Sequence, residues 1–284
     1  MVMEKFAKEI DEREFSFSDK EFRFLANLAN QHTGIVLPEH KKGMVYSRLV
    51  RRLRALKLSS FAEYCELMQE EDSSDEIVNL VNAITTNLTS FFREGHHFEH
   101  LRHHVLSPLA DKPSSPKRLR IWSAGCSAGM EPYSIAMTVK SSFKDLKAWD
   151  ARILATDIDT NMLDKGMNGE YTDEQYENIP SEYRSDVLLN TKEEVIQMSD
   201  TLKQLIAFKT LNLLGSWPMK GQFDAVFCRN VVIYFDKPTQ AKLFNRIAEF
   251  IKPGGWLYIG HSENLFKVCD RFELVGRTIY RKVY

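Results

Sequence analysis

The 284-residue sequence predicts an α/β protein: a small N-terminal all-helical domain, then a doubly wound, mostly parallel sheet with an antiparallel hairpin at one edge. Three observations lead there. Up to about residue 90, apolar side chains recur at helical spacing and no alternating strand pattern occurs. From Lys117 onward, short apolar runs alternate with turn signals and helical segments. Residues 272–275 and 278–283, joined about Gly276, read as the hairpin.

Each element has a local reason. Ser18 or Asp19 caps a first helix whose apolar face is Phe22, Leu25, Ala26, Leu28 and Ala29; it ends near Thr33, where Gly34 suits a left-handed cap. Pro38 opens a second helix, and Ser59 with Ser60 starts a third through Phe61, Tyr64, Cys65 and Met68. Residues 72–75 break that run and recap it into Ile77, Leu80, Val81 and Ile84. Beyond, strands are expected at 118–123, 151–156, 205–211, 223–228 and 255–260. One helix begins at Pro132 after the first strand, and another spans about 238–251 before the fifth. A small β-subdomain is expected near 187–211. The domains are thus a helical one at 1–90, a linker at 91–116 whose flexible end is Lys112-Pro113-Ser114-Ser115-Pro116, and an α/β domain at 117–284.

Composition narrows the function. With 38 Lys+Arg against 39 Asp+Glu, the net charge of −1 argues against bulk electrostatic coating of nucleic acid or membrane. The apolar run at 231–235 falls far short of the roughly 18 residues a spanning helix needs. The N-terminus lacks the apolar stretch of a secretory signal. Cys65, Cys126, Cys228 and Cys269 share no CxxC spacing, so a soluble cytoplasmic protein with reduced thiols is expected. A monomer is expected as well. The average conceals segregation: residues 41–57 hold seven basic side chains and no acidic one, and 63–76 seven acidic and no basic one. On a helix, Lys41, Arg48, Arg51 and Arg52 fall within an arc of roughly 100°. That stripe is either a docking face for an acidic partner or a solvated face paired with 63–76.

In a doubly wound sheet, ligands sit beyond the carboxyl ends of the strands. After the first strand comes Ser123-Ala124-Gly125-Cys126-Ser127-Ala128-Gly129-Met130-Glu131-Pro132, where small residues such as Gly125 let a cofactor approach the backbone and a helix N-terminus follows. After the second comes Asp157, able to accept hydrogen bonds from both ribose hydroxyls; its alternative role, capping the helix at Thr160, falls equally well to Asp159. Glu131 would repel a pyrophosphate and suits the ammonium of S-adenosylmethionine, which moves the reading from dehydrogenase to methyltransferase.

With these residues the sequence resembles the CheR family, the chemotaxis methyltransferases that esterify glutamates on bacterial chemoreceptors. The resemblance runs from about Phe15 to Tyr284 and rests on ordered motifs. These are Thr86-Asn87-Leu88-Thr89-Ser90-Phe91-Phe92-Arg93-Glu94, the glycine turn, Ala155-Thr156-Asp157-Ile158-Asp159, Asn212-Leu213-Leu214, residues 227–235, Lys252-Pro253-Gly254-Gly255 and Gly260-His261-Ser262-Glu263-Asn264. It implies a sheet of the class I methyltransferase type. It also implies S-adenosylmethionine as cofactor, S-adenosylhomocysteine as product, no metal, and a receptor-facing helical domain. The family's cofactor contacts fall here on Asn87, Thr89, Arg93, Glu131 (ammonium) and Asp157 (ribose), with Asn212 and Leu213 bordering the adenine. Arg229 and Asn230 complete the pocket near the methyl, and Tyr234 lies at its mouth. Ala128 and Met130 depart from the family, which more often has a hydroxyl residue and then a second acid. In some members a hairpin, here within 187–211, grips a receptor's C-terminal peptide. Its short, glycine-free turn at Asn190-Thr191-Lys192-Glu193 favours direct methylation of receptor helices by an enzyme recruited to membrane chemoreceptor arrays.

The chemistry is consistent with this. The sulfonium methyl is already activated, and a glutamate with a reference pKa of about 4.3 is ionised at neutral pH, so no general base is required. Positioning and desolvation remain, with Arg93 and Tyr234 orienting the carboxylate. Rival readings are weaker. A nucleic-acid methyltransferase would carry an Asn/Asp-Pro-Pro-aromatic motif where this chain has Asn230-Val231-Val232-Ile233; another protein substrate remains an alternative. A cofactor-free receptor-binding scaffold would not need Glu131 and Asp157. His96, His100 and His104, with His97 and His103 nearby, share a helix face but offer no carboxylate partner logic for a metal.

Overall fold

In the computed structural model, which describes residues 14–70, 72–111, 117–190 and 195–283, the chain divides between Thr85 and Thr86 into two units. The sequence expectations for the extreme N-terminus, for Lys112–Pro116 and for the turn at 191–193 lie outside the described residues. In the first unit, Ser18 Oγ accepts from the Glu21 amide and Glu21 accepts from the Ser18 amide, a capping box that opens α1, Asp19–Thr33. Gly34 ends it at φ 75°. A 3-10 turn, Glu39–Lys41, follows Pro38 and leads into α2, Lys42–Leu56. Ser60 caps α3, Phe61–Leu67, and α4 is Ser74–Ile84. Their inward faces meet in one core that includes Phe22, Leu25, Val45, Leu49, Leu53, Phe61, Tyr64 and Leu80.

The second unit is built on a seven-stranded sheet. Its strands are β1 (Arg118–Ala124), β2 (Asp150–Asp157), β6 (Ile206–Thr210), β7 (Phe223–Cys228), β8 (Ile251–Ile259), β9 (Phe272–Gly276) and β10 (Ile279–Lys282), in the order β6-β2-β1-β7-β8-β10-β9. The first five are parallel, and β10 runs antiparallel to both β8 and β9, as the hairpin reading requires. Successive side chains of a strand enter opposite layers. Ile121, Ala225, Phe227 and Tyr258 join one core with α7 (Met130–Ser142), while Trp122, Val226, Leu257 and Ile259 join the other with α11 (Lys237–Phe250). Between β2 and β6 lie α8 (Thr160–Asn168), α9 (Asp173–Tyr176), α10 (Asp200–Lys203) and a second, antiparallel sheet. That sheet is ordered β3-β5-β4, from Glu170–Thr172, Val195–Met198 and Val187–Asn190. The inserted subdomain therefore begins at Glu170, ahead of the expected 187, and 206–210 belongs to the main sheet.

The segment read as a linker is corrected. α5 (His96–His100) runs on through a π-helical stretch, Leu101–Leu106, into α6 (Ser107–Ala110). Phe91, Phe98, Leu101, Val105 and Leu106 are buried in the α7 layer. A helical apolar stripe makes this stretch part of the second unit.

One buried polar group organises the first unit. Glu76 on α4 takes a bidentate pair from Arg52 on α2, at 3.0 and 2.5 Å, and the Tyr64 hydroxyl at 2.9 Å. Breaking a buried pair costs about 3–5 kcal/mol. Arg52 is partly exposed, so E76A is expected to destabilise this unit by about 2–3 kcal/mol. Faster hydrogen exchange of the α2 and α4 amides with unchanged exchange in β1 and β7 is the expected reading.

Candidate active site

The sheet's chain order reverses at β1, with β2 on one side and β7 on the other, and the candidate residues converge at this end. The turn from β1 into α7 is held by backbone bonds. The Gly125 and Cys126 amides both donate to the Thr156 carbonyl, at 2.8 and 2.9 Å, and the Gly129 amide donates to the Cys126 carbonyl. Gly125 has φ 84°, and a Cβ there would lie 2.3 Å from Val231 Cγ2 on the loop after β7. Only glycine fits both constraints.

Asp157, at the end of β2, is 9% exposed. One carboxylate oxygen accepts from the Ser127 amide at 2.7 Å and the other from the Asp159 amide at 2.9 Å. Burial pushes its carboxyl up, and the backbone donors pull it back. Helix capping falls to Asp159, which accepts from the Asn161 and Met162 amides at the start of α8. Asp157 is thus not the cap of α8.

Glu131, in the first turn of α7, accepts from Ser123 Oγ at 2.7 Å and pairs with Arg229 Nη1 at 3.3 Å. Burial raises its carboxyl, against the pull of Arg229 and Ser123. Arg229, just past β7, is 2% exposed. It also pairs with Glu94 at 3.4 Å and donates to the Arg93 carbonyl.

Of the other candidates, Asn87 is tied to the ends of β1 and β2 through Ser127 and Asp159. Asn87 donates to Asp159 at 2.7 Å, and Ser127 Oγ donates to the Asn87 carbonyl at 3.1 Å. Arg93 donates to the Leu88 carbonyl at 3.0 Å, and Thr89 is half-buried. The Leu211 amide donates to the Asp157 carbonyl, bringing Asn212 to the same face, whereas the Leu213 side chain is buried in the α11 layer. Asn230 adopts a left-handed φ of 59°, and Tyr234 sits half-buried in the 3-10 turn Val232–Tyr234.

Two carboxylates escaped the sequence reading. Glu94 pairs with Arg229, and Glu263 accepts from the Asn230, Val232 and Gly260 amides at 3.0, 3.1 and 2.6 Å. Both stood inside quoted motifs, but no local spacing gave either a role.

The basic stripe divides. Arg48 donates to the Ile84 and Thr85 carbonyls at 2.7 Å, closing the end of α4, and Arg52 is held by Glu76; Lys41 and Arg51 stay exposed. The histidines are structural neighbours of the sheet. His97 is fully buried with its imidazole pushed down to about 3 by burial, and His100 bonds the Tyr258 hydroxyl at 3.0 Å. Among the described residues no group of three His, Cys, Asp or Glu is arranged to hold a metal ion, and no helix is long and apolar enough to cross a membrane.

This donor set fits S-adenosylmethionine: an acid pair, a glycine turn, and turn amides engaged by backbone and by Asp157. Left-handed φ costs a non-glycine residue about 1–2 kcal/mol, and displacing Val231 about 1–3 more. G125A should therefore lose about 2–4 kcal/mol, with G125A/V231A recovering only the steric part, as read by denaturant melts.

Comparison with known proteins agrees. Residues 20–85 match the family model for the CheR methyltransferase all-alpha domain, and residues 87–281 that for its SAM binding domain. A chemotaxis protein methyltransferase of Klebsiella aerogenes is 42% identical over 93% of this chain and 89% of its own length. The Escherichia coli protein of that name is 41% identical over 93% of this chain and 91% of its own. Chemotaxis protein methyltransferase 2 of Pseudomonas aeruginosa is 41% identical over 94% and 95%. Both units are matched in order: the chain belongs to the CheR family of S-adenosylmethionine-dependent methyltransferases.

Proposed function

We propose that the chain transfers the methyl group of S-adenosylmethionine to glutamate carboxylates on the cytoplasmic helices of bacterial chemoreceptors, giving methyl esters for chemotactic adaptation. It acts as a cytoplasmic monomer recruited to the receptor arrays. The observation that carries this reading is the acid pair at the switch point, Asp157 buried and Glu131 12% exposed, which suits a cationic, phosphate-free nucleoside. The relatives' names, chemotaxis protein methyltransferase, support the setting.

When bound, the cofactor supplies a methyl group activated on a sulfonium. Glu131 holds the ammonium and Asp157 the ribose hydroxyls. Asn212 and the backbone of Leu213 border the adenine, and the Gly125 turn lets the backbone close on the nucleoside. Asn87 and Thr89 line the approach. Arg93 and Tyr234 orient the incoming carboxylate, and Arg229 and Asn230 close the pocket beside the methyl. The acceptor arrives ionised, so these residues contribute alignment and exclusion of water rather than proton transfer. Arg93 must hold the carboxylate loosely, because a tight ion pair would withdraw the electrons that attack.

Lys41 and Arg51, the exposed part of the stripe, attract the acidic receptor helix. Arg48 and Arg52 contribute field while serving the helical unit itself.

Incubation with methyl-labelled cofactor and a receptor cytoplasmic fragment, then alkali, should release the label as volatile methanol. Alkali-stable label would overturn the ester. Reversing charge in K41E/R51E should raise KM for the receptor about tenfold at low salt, with kcat and cofactor affinity held. An unchanged KM would remove those residues from docking.

A further inference from the structure

Glu94 has no part in the assignments above, yet it stands at the centre of the site's buried charge. Its side chain is 12% exposed. Oε1 accepts from the His261 amide at 3.1 Å and lies 2.9 Å from His261 Nδ1. Oε2 faces Arg229 Nη2 at 3.4 Å and His97 Nδ1 at 3.6 Å, and is a buried atom with no hydrogen bond. Arg229 in turn reaches Glu131 at 3.3 Å. One guanidinium therefore serves two carboxylates. The hydrogen bonds of His261 and the charge of Arg229 outweigh burial and hold the Glu94 carboxyl below its usual range, so Glu94 is ionised. His97 is kept neutral by burial. Arg93, partly exposed and bonded to the Leu88 carbonyl, adds a smaller pull of its charge on Glu131.

Within this set two carboxylates share the one guanidinium of Arg229, and the charge of Glu94 adds to burial in raising the Glu131 carboxyl. Buried charge left uncompensated is costly, and a cation brought beside it is correspondingly favoured. We infer that Glu94 is a positioning residue that sets cofactor selectivity: by engaging Arg229 from the far side, it leaves Glu131 under-neutralised, so that the pocket requires the α-ammonium of the cofactor. With Glu94 uncharged, Arg229 and Glu131 form a closed neutral pair, and the ammonium gains little by arriving. This rests on the assignment of the ammonium to Glu131.

The test compares two ligands within each full-length variant by calorimetry: S-adenosylhomocysteine, and its deaminated analogue, which keeps the carboxylate and lacks the ammonium. The wild type should prefer the first. In E94Q and in E94A, that preference should shrink at least tenfold, through weaker S-adenosylhomocysteine binding with the analogue changed less than threefold. E94D, which keeps the charge, should restore most of it. A structural role would weaken both ligands together, and loss of folded protein cancels in the ratio. E131Q serves as the reference. If E131Q collapses the preference and both Glu94 variants leave it intact, the inference fails while the Glu131 assignment stands. If E131Q leaves the preference intact, the Glu131 assignment itself fails.

Discussion

A guanidinium shut away from water must be met by charge and hydrogen bonds, and Arg229 is the group whose burial the rest of the catalytic unit accommodates. Its partners come from two separate pieces of chain: Glu94 and the Arg93 carbonyl ahead of the sheet, and Glu131 at the start of α7. Satisfying it therefore fastens the 86–95 segment to the β1 turn and to the end of β7. The Phe98 ring, 5.8 Å from the guanidinium, closes one side. The segment that would otherwise be a connection becomes a wall of the site, and its apolar stripe is drawn into the α7 layer behind it. Glu263 performs the matching task for backbone. Past β7 and β8 the strands no longer pair, and its carboxylate accepts the amides that the sheet leaves open at Asn230, Val232 and Gly260.

The helical unit solves a smaller version of the same problem. Glu76 gathers Arg52, Tyr64 and Asn79, tying α2, α3 and α4 through one carboxylate. Arg48 places its guanidinium on the carbonyls that end α4, where the helix dipole favours a cation. The segregated charges of the sequence consequently serve two ends. Part of the basic run holds the unit together, and Lys41 and Arg51 face solvent. A charge stripe read from periodicity alone overstates what a partner can meet.

Periodicity and turn chemistry were sufficient for the fold wherever the interactions are local. Ser18, Gly34 and Ser60 stand at the caps expected of them, and alternation located the parallel strands. Misreadings arose where one local signal hid another. The fifth strand is expected from 255, just past Pro253-Gly254. The strand instead starts at Ile251 and absorbs those residues in a bulge against Phe223–Ala225, with Gly254 at φ 72°. In 91–110 the polar histidines drew attention from Phe98, Leu101 and Val105, which carry the helical stripe. The acids Glu131 and Asp157 could be singled out because each follows a strand in a fixed topology. Glu94 could not, since His261 lies 167 residues further along the chain. A long-range ion pair leaves no trace in local spacing.

The choice of cofactor follows from how the turn amides are engaged. A phosphate-binding turn presents free N–H groups and the start of a helix. Here Gly125 and Cys126 donate to Thr156, Ser127 donates to Asp157, and Gly129 donates back to Cys126. Those four donors are already engaged, and the first turn of α7 carries the carboxylate of Glu131. A diphosphate would meet four turn amides already engaged and one fixed negative charge. A sulfonium nucleoside brings no phosphate to be turned away, and on the assignment proposed above the two carboxylates take its ammonium and its ribose. The same strand–turn–helix geometry that serves dinucleotides elsewhere is thus committed to a cationic ligand by two acids and four hydrogen bonds, and the glycines supply only the room.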